Sequence, residues 1–171
     1  MKHTLSLLIE NTFGAFDRVA TMFSAKGFNL HSISIGEAEI RDISRMTIVI
    51  SGDDRVVEQA EKQLNRLVDT IKVVNLTKSD RVERELALIT VNYQSHSLEE
   101  VKNICDIFRG KVVDINNRTL TIELTGPPAK IDAVVNVLHP YGIKEMARSG
   151  TVALKRGEQI RHPKKEYLQT N

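Results

Sequence analysis

Asn11-Thr12-Phe13-Gly14-Ala15, read together with Asn29, is the part of the sequence whose residue types and spacing can do chemistry. Gly14 stands where a short apolar run ends and a helical pattern begins. Lacking a Cβ, it lets a ligand approach the backbone, and free N–H groups at a helix start attract a carboxylate. Asn11 and Asn29 each donate and accept hydrogen bonds without carrying charge. This set suits a small zwitterion such as an amino acid. The same residue types are also ordinary loop and turn formers, so both readings stay open at this point.

Covalent and metal chemistry find little support elsewhere. There is no G-x-S-x-G, H-E-x-x-H, P-loop or G-x-G-x-x-G pattern. The five histidines, His3, His31, His96, His139 and His162, share no metal-ligand spacing. A single cysteine, Cys105, excludes an internal disulfide and a Cys-rich zinc site. It lies on an apolar helical stripe, where a buried, inert thiol is expected. Glu99-Glu100 reads as helix-start charge rather than as a pair of catalytic carboxylates. No catalysis by this chain alone is expected.

The elements that must hold Asn11, Gly14 and Asn29 follow from periodicity. Leu5 to Ile9 is an apolar strand-like run. Phe16, Val19, Ala20 and Phe23 recur at helical spacing, and Lys26-Gly27 ends that helix. Alternation then places His31, Ile33 and Ile35 on one strand face, with Leu30, Ser32 and Ser34 on the other. Met46 to Ile50 is a further strand. Gly52-Asp53-Asp54 supplies a turn and an aspartate cap for a helix carrying Val57, Ala60, Leu64 and Leu67. Ile71 to Leu76 completes a βαββαβ order.

The order then recurs. Leu86 to Tyr93 reads as a strand, and Ser97-Leu98-Glu99-Glu100 as a capping box before Val101, Ile104, Cys105 and Phe108. A hairpin turning at Asn116-Asn117, a helix after Gly126-Pro127-Pro128 and a strand from Ile143 follow. His3 to Leu7 aligns with Arg84 to Leu88, Asn11 with Asn92, Thr47 to Gly52 with Thr121 to Gly126, and Ile71-Lys72 with Ile143-Lys144. Gln94-Ser95-His96 offers no glycine to match Gly14, so any site belongs to the first unit.

The expected architecture is α+β, with tandem ferredoxin-like βαββαβ units. Residues 1–77 form the first unit, 78–84 a polar linker, 85–147 the second unit and 148–171 a basic C-terminal extension. One sheet face of a unit needs a cover, because Ile33, Ile35 and Val49 are ill suited to water.

Ferredoxin-like units also occur in RNA-binding domains, which display aromatic rings on the central strands. Lys26-Gly27-Phe28 imitates the start of their octamer motif but precedes the second strand, and Met46-Thr47-Ile48-Val49-Ile50 contains no ring. Over 171 residues with 41% hydrophobic and 27% charged side chains, the net charge is only +2. That is too little for binding nucleic acid by bulk charge. The near-neutral total conceals an asymmetry. From Arg148 onward six Lys and Arg stand against two Glu, while the preceding residues carry 18 against 20. No apolar stretch is long enough to span a membrane, and no targeting segment is recognisable, so a cytoplasmic chain is expected, or one made in a plastid stroma.

Thr4-Leu5-Ser6, Glu10-Asn11, Gly14, Arg18-Val19, Phe23-Ser24, Lys26-Gly27-Phe28-Asn29 and Ser44-Arg45-Met46-Thr47-Ile48 carry a family likeness. Val82-Glu83-Arg84-Glu85-Leu86-Ala87-Leu88, Ile107-Phe108-Arg109-Gly110 and Ala147-Arg148-Ser149-Gly150 extend it to Gly157. Together these residues resemble the regulatory (small) subunit of acetolactate synthase, also called acetohydroxyacid synthase. The resemblance implies an N-terminal ACT domain, an ACT-like second domain and a homodimer formed through the ACT domains. It implies a catalytic large subunit as partner, activated by this chain and made sensitive to valine or a related branched-chain amino acid. Thiamine diphosphate, magnesium and FAD are expected only in that large subunit, with no cofactor in this chain. Asn11, Gly14 and Ala15 of one copy and Asn29 of the other are the implied ligand residues, with Leu30 and Ile33 beside them.

Two positions and one loop depart from the family pattern, the loop being Glu37-Ala38-Glu39-Ile40-Arg41-Asp42 in place of the usual Pro-containing segment. Phe13 replaces a common Pro, and His31 replaces an acidic residue near the expected ligand ammonium. The other readings are a ligand-free assembly subunit and an RNA-binding module. Residues His162 to Asn171 lie past the resemblance and are expected to be disordered.

Overall fold

The computed structural model describes residues 1–93 and 97–157. Its first unit runs β1 (Lys2–Glu10), α1 (Ala15–Ala25), β2 (Asn29–Glu37), β3 (Ile43–Ser51), α2 (Asp54–Leu64) and β4 (Thr70–Asn75). The strands form an antiparallel sheet in the order β2-β3-β1-β4, so β2 is an edge. Alternation along β1 and β3 turns Leu5, Leu7, Met46, Ile48 and Ile50 toward Val19 and Phe23 of α1 and Val57, Ala60 and Leu64 of α2. Asp53 caps α2 as expected, accepting from the Val56 N–H at 2.9 Å.

The second unit runs β5 (Arg81–Asn92), α3 (Leu98–Ile107), β6 (Lys111–Ile115), β7 (Thr119–Gly126), α4 (Pro128–Leu138) and β8 (Ile143–Arg148). Its sheet order, β6-β7-β5-β8, repeats that of the first. The α+β, tandem ferredoxin-like architecture is thus present. Each unit has its own core, the second centred on Ile89, Val91, Leu120 and Ile122. Cys105 belongs to that core, where burial pushes its thiol pKa up.

Several expectations need correction. Phe16 is half exposed; Ala15, Val19, Met22 and Phe23 form the buried face of α1 instead, so the stripe starts one residue earlier. On β2 the register shifts between Leu30 and Ser32, which pair with Ile50 and Val49. The extra residue, His31, reverses the alternation, so Leu30 shares the helix-side face with Ile33 rather than with Ser32. Ser97 makes no capping bond to α3, and Glu100 accepts from the Tyr141 hydroxyl instead.

The repeat alignment also changes at the first strand. Leu5 pairs with Ile48, whereas the repeat-equivalent Ile122 pairs with Ile89. Leu5 therefore corresponds to Ile89, not to outward-facing Leu86. Strand period 2 explains the error: a slip by an odd number of residues exchanges the two faces. The counterpart of Asn11 then falls within residues 94–96, outside the described residues.

The polar stretch 78–84 is strand from Arg81 onward, because a further strand, β9 (Val152–Lys155), pairs with Arg81–Arg84. Residues 149–157 therefore fold back rather than trail away. The expectations for residues 158–171 lie outside the described residues.

Candidate functional site

Glu10 ends β1, and the chain is held on both sides as it leaves the sheet. The Glu10 N–H donates to the Asp69 carbonyl at 2.9 Å, and the Asn11 N–H to the Asp42 carbonyl at 2.7 Å. Gly14 follows at φ +80°, a left-handed conformation that a side chain would strain. A Cβ there would also sit 3.1 Å from Arg18 Nη1. Gly14 is the N-cap of α1 and supplies no side-chain cap; the Ala15 N–H donates to the Thr12 carbonyl at 3.1 Å, so what this helix start offers an anion is its N–H groups other than that of buried Ala15.

A polar clamp fixes this loop. Arg18 donates through Nε and Nη2 to the Asp69 carboxylate at 2.5 and 2.8 Å, and the Thr12 hydroxyl donates to the same group at 3.0 Å. Asp69 is buried, and these donors, Arg18 foremost, hold its pKa below the ordinary carboxylate value. Arg18 Nη2 also reaches the Phe13 carbonyl at 3.4 Å. Both ends of the loop are thereby tied to the α2–β4 junction. The clamp had no sequence signal, since Arg18 and Asp69 lie 51 positions apart.

Asn11, Gly14 and Ala15 are thus brought together, and Asn29 is not. Glu10 pairs with Ile43 at one end of β3, while Asn29 pairs with Ser51 at the other. Eight residues of strand separate those positions, roughly 26 Å at the usual rise. No small ligand spans that distance, so a joint site needs Asn29 from another copy. Asn29 is exposed on the edge strand; Leu30 beside it is half exposed, and Ile33 packs against the core.

A cavity of about 310 Å³ lies elsewhere, between β2, the start of β5 and residues 150–151, and includes His31 and Ser32. Among the described residues no group of three His, Cys, Asp or Glu is placed to hold a metal ion. No helix among them is long and apolar enough to cross a membrane.

Residues 5–72 match the family described as the AHAS small subunit-like ACT domain, and residues 84–157 the small subunit of acetolactate synthase. The acetolactate synthase small subunit of Aquifex aeolicus is 49% identical over 96% of this chain and 86% of its own length. The probable acetolactate synthase small subunit of Archaeoglobus fulgidus is 47% identical over 93% and 99%. The crystal structure of the Thermotoga maritima acetolactate synthase small subunit superposes with a TM-score of 0.83 at 39% identity, covering 93% of this chain and 99% of that one.

Proposed function

The chain belongs to the acetolactate synthase small-subunit family, and on that premise we propose that it is the feedback sensor of the enzyme complex. As such a subunit it is a regulatory part that works with a catalytic large subunit. The finer reading is that two copies pair through their ACT domains and enclose a branched-chain amino acid, valine foremost. Its carboxylate meets backbone N–H groups around Gly14, with Ala15 beside them, while Asn11 of one copy and Asn29 of the other take its remaining polar atoms. Leu30 and Ile33 border the site. The large subunit carries thiamine diphosphate, magnesium and FAD; this chain supplies no cofactor, activates the partner and transmits inhibition in the cytoplasm.

The observation that carries this reading is the split placement of the residues. Gly14 presents a helix start without a side-chain cap on a loop fixed by Arg18 and Asp69, and Asn29 lies toward the opposite end of the sheet on its edge strand. Exposed Phe13 and Phe16 beside the loop, and Leu30 and Ile35 on the edge, give a second copy apolar surface to cover.

Calorimetric titration of the full chain with valine, leucine and isoleucine, alone and with the large subunit, tests the proposal. Gly14→Asp adds a side chain at positive φ and a negative charge beside the ligand carboxylate. It is expected to weaken valine binding by more than about 100-fold, the effect of about 3 kcal/mol. Absence of binding for all three amino acids, or an unchanged affinity in Gly14→Asp, rejects the site. Activation of the large subunit without any response to these amino acids would favour a ligand-free assembly role.

A further inference from the structure

We propose that residues 149–155 form a strap that carries the occupancy of the first unit's edge strand to the second unit, an inference that rests on the effector reading above. The strap meets β2 at Ser149–Gly150 and β5 at Ser149 and again along Val152–Lys155. The Ser34 hydroxyl on β2 donates to the Ser149 carbonyl at 2.8 Å. Next to it, Gly150 adopts φ +74°, and a Cβ there would lie 3.0 Å from Ser34 Oγ and 3.2 Å from Ser32 Cβ. The strap therefore lies so close to β2 that a methyl at position 150 would strain the backbone and force Ser32 and Ser34 to give way slightly. Farther on, the Ala153 N–H donates to Thr47 Oγ1 on β3 at 3.2 Å, in a fully buried position.

The other side of the strap is built into the second unit. The Ser149 N–H donates to the Leu86 carbonyl at 2.9 Å, and Ser149 Oγ accepts from the Leu86 N–H at 3.0 Å. Val152–Lys155 then pairs with Arg81–Arg84. Displacement of β2 at Ser32–Ser34, a few residues from Asn29, acts directly on the central strand of the second sheet.

The space beside this connection leaves room for movement. The cavity of about 310 Å³ is bordered by His31, Ser32 and Val49 on the first unit, Arg81 and Arg148 on the second, and Thr151 on the strap. Ser32 Oγ is buried there without a hydrogen-bond partner. Close-packed interiors resist relative motion, and this half-open cleft between the units is not close-packed. Coupling between distant sites needs a contiguous set of packed and hydrogen-bonded groups that can take two arrangements. An effector drawing Asn29 toward a second copy would shift β2, and the strap would pass that shift to β5.

The test uses the full chain reconstituted with its large subunit. Gly150→Ala should leave the valine Kd, measured by calorimetry, within about twofold, while the valine concentration for half-inhibition rises at least about fivefold, a common scale of allosteric coupling. Unchanged inhibition overturns the strap, and so does a Kd that weakens in step with inhibition. If Gly150→Ala does not fold, Thr47→Val is read in the same way. Hydrogen exchange at the Ala153 amide gives a measure independent of variants: valine should alter its rate, and an unaltered rate overturns the proposal. If the unmodified chain binds no valine, leucine or isoleucine, the effector reading itself fails and this inference with it. Binding with intact inhibition in Gly150→Ala removes the strap alone.

Discussion

Thr47 and Thr121 occupy the same place in the two units, on the sheet face opposite the helices, and meet different surroundings. Thr47 is almost wholly buried and accepts from Ala153 of the strap. Thr121 is half-buried and shares a hydrogen bond with Thr90 on the neighbouring strand of its own sheet. The contrast extends along the face. Thr4, Ser6, Leu8 and Val49 of the first unit are buried, with β9 lying against β1 and β3. Leu86 and Leu88 of the second unit are exposed. One topology thus has two uses. The first unit gives up an outer face to an internal connection, and the second keeps its face open. In the first unit, covering the face also removes a platform on which RNA bases would stack.

The largest stability effect that sharpens this comparison belongs to Arg148, at the end of β8. It donates through Nε and Nη2 to Glu85 at 2.7 and 2.8 Å and through Nη1 to Asp132 at 2.8 Å. Glu85 is buried, so Arg148→Ala leaves a carboxylate without its partner at the base of the strap. A loss of about 2–3 kcal/mol is expected, less than for a fully buried pair because Arg148 keeps some exposure. Urea denaturation checks it, and a loss under 1 kcal/mol would show that water replaces Arg148. Glu85→Gln in the Arg148→Ala background should recover part of the loss.

The threonine pair gives a smaller and more direct contrast. Thr47→Val removes the acceptor of a buried N–H and should cost about 1–2 kcal/mol. Thr121→Val removes one cross-strand pair on an open face and should cost about 0.5 kcal/mol. Equal losses in thermal and urea denaturation would mean that the strap adds nothing to the first face.

Much of this organisation was legible in the sequence because it rests on local periodicity. Helical spacing in Val57-Ala60-Leu64 and Ile131-Val134-Leu138, and the recurring βαββαβ order, defined both units. What escaped depends on long-range pairing. The alternation Val152-Ala153-Leu154 is present within the basic extension, but nothing local indicates that Arg81–Arg84 pairs with it. His31 as a bulge is equally invisible, since only the register against Ile50 and Val49 reveals it. At the candidate site, Gly14 stood out by residue type and position. The clamp that fixes it joins residues 51 positions apart and did not.

That clamp gives the finest discrimination between the units. Asp69 has a pKa lowered mainly by Arg18, so its charged form is favoured in the folded loop. A lowered carboxylate pKa contributes fully above the unfolded value, near 4, and is lost as pH falls through the lower folded value. Valine affinity should therefore stay level from pH 7 to about pH 5 with respect to this group, and weaken only below about pH 4. Asp69→Asn keeps the shape but gives up the charge-assisted bonds to Arg18. It should weaken binding about tenfold at pH 7, near the lower end for a hydrogen bond to a charged group, and flatten the acid limb. A wild-type decline already between pH 7 and 5 would point away from Asp69. The clamp would then be a brace for the fold of the loop.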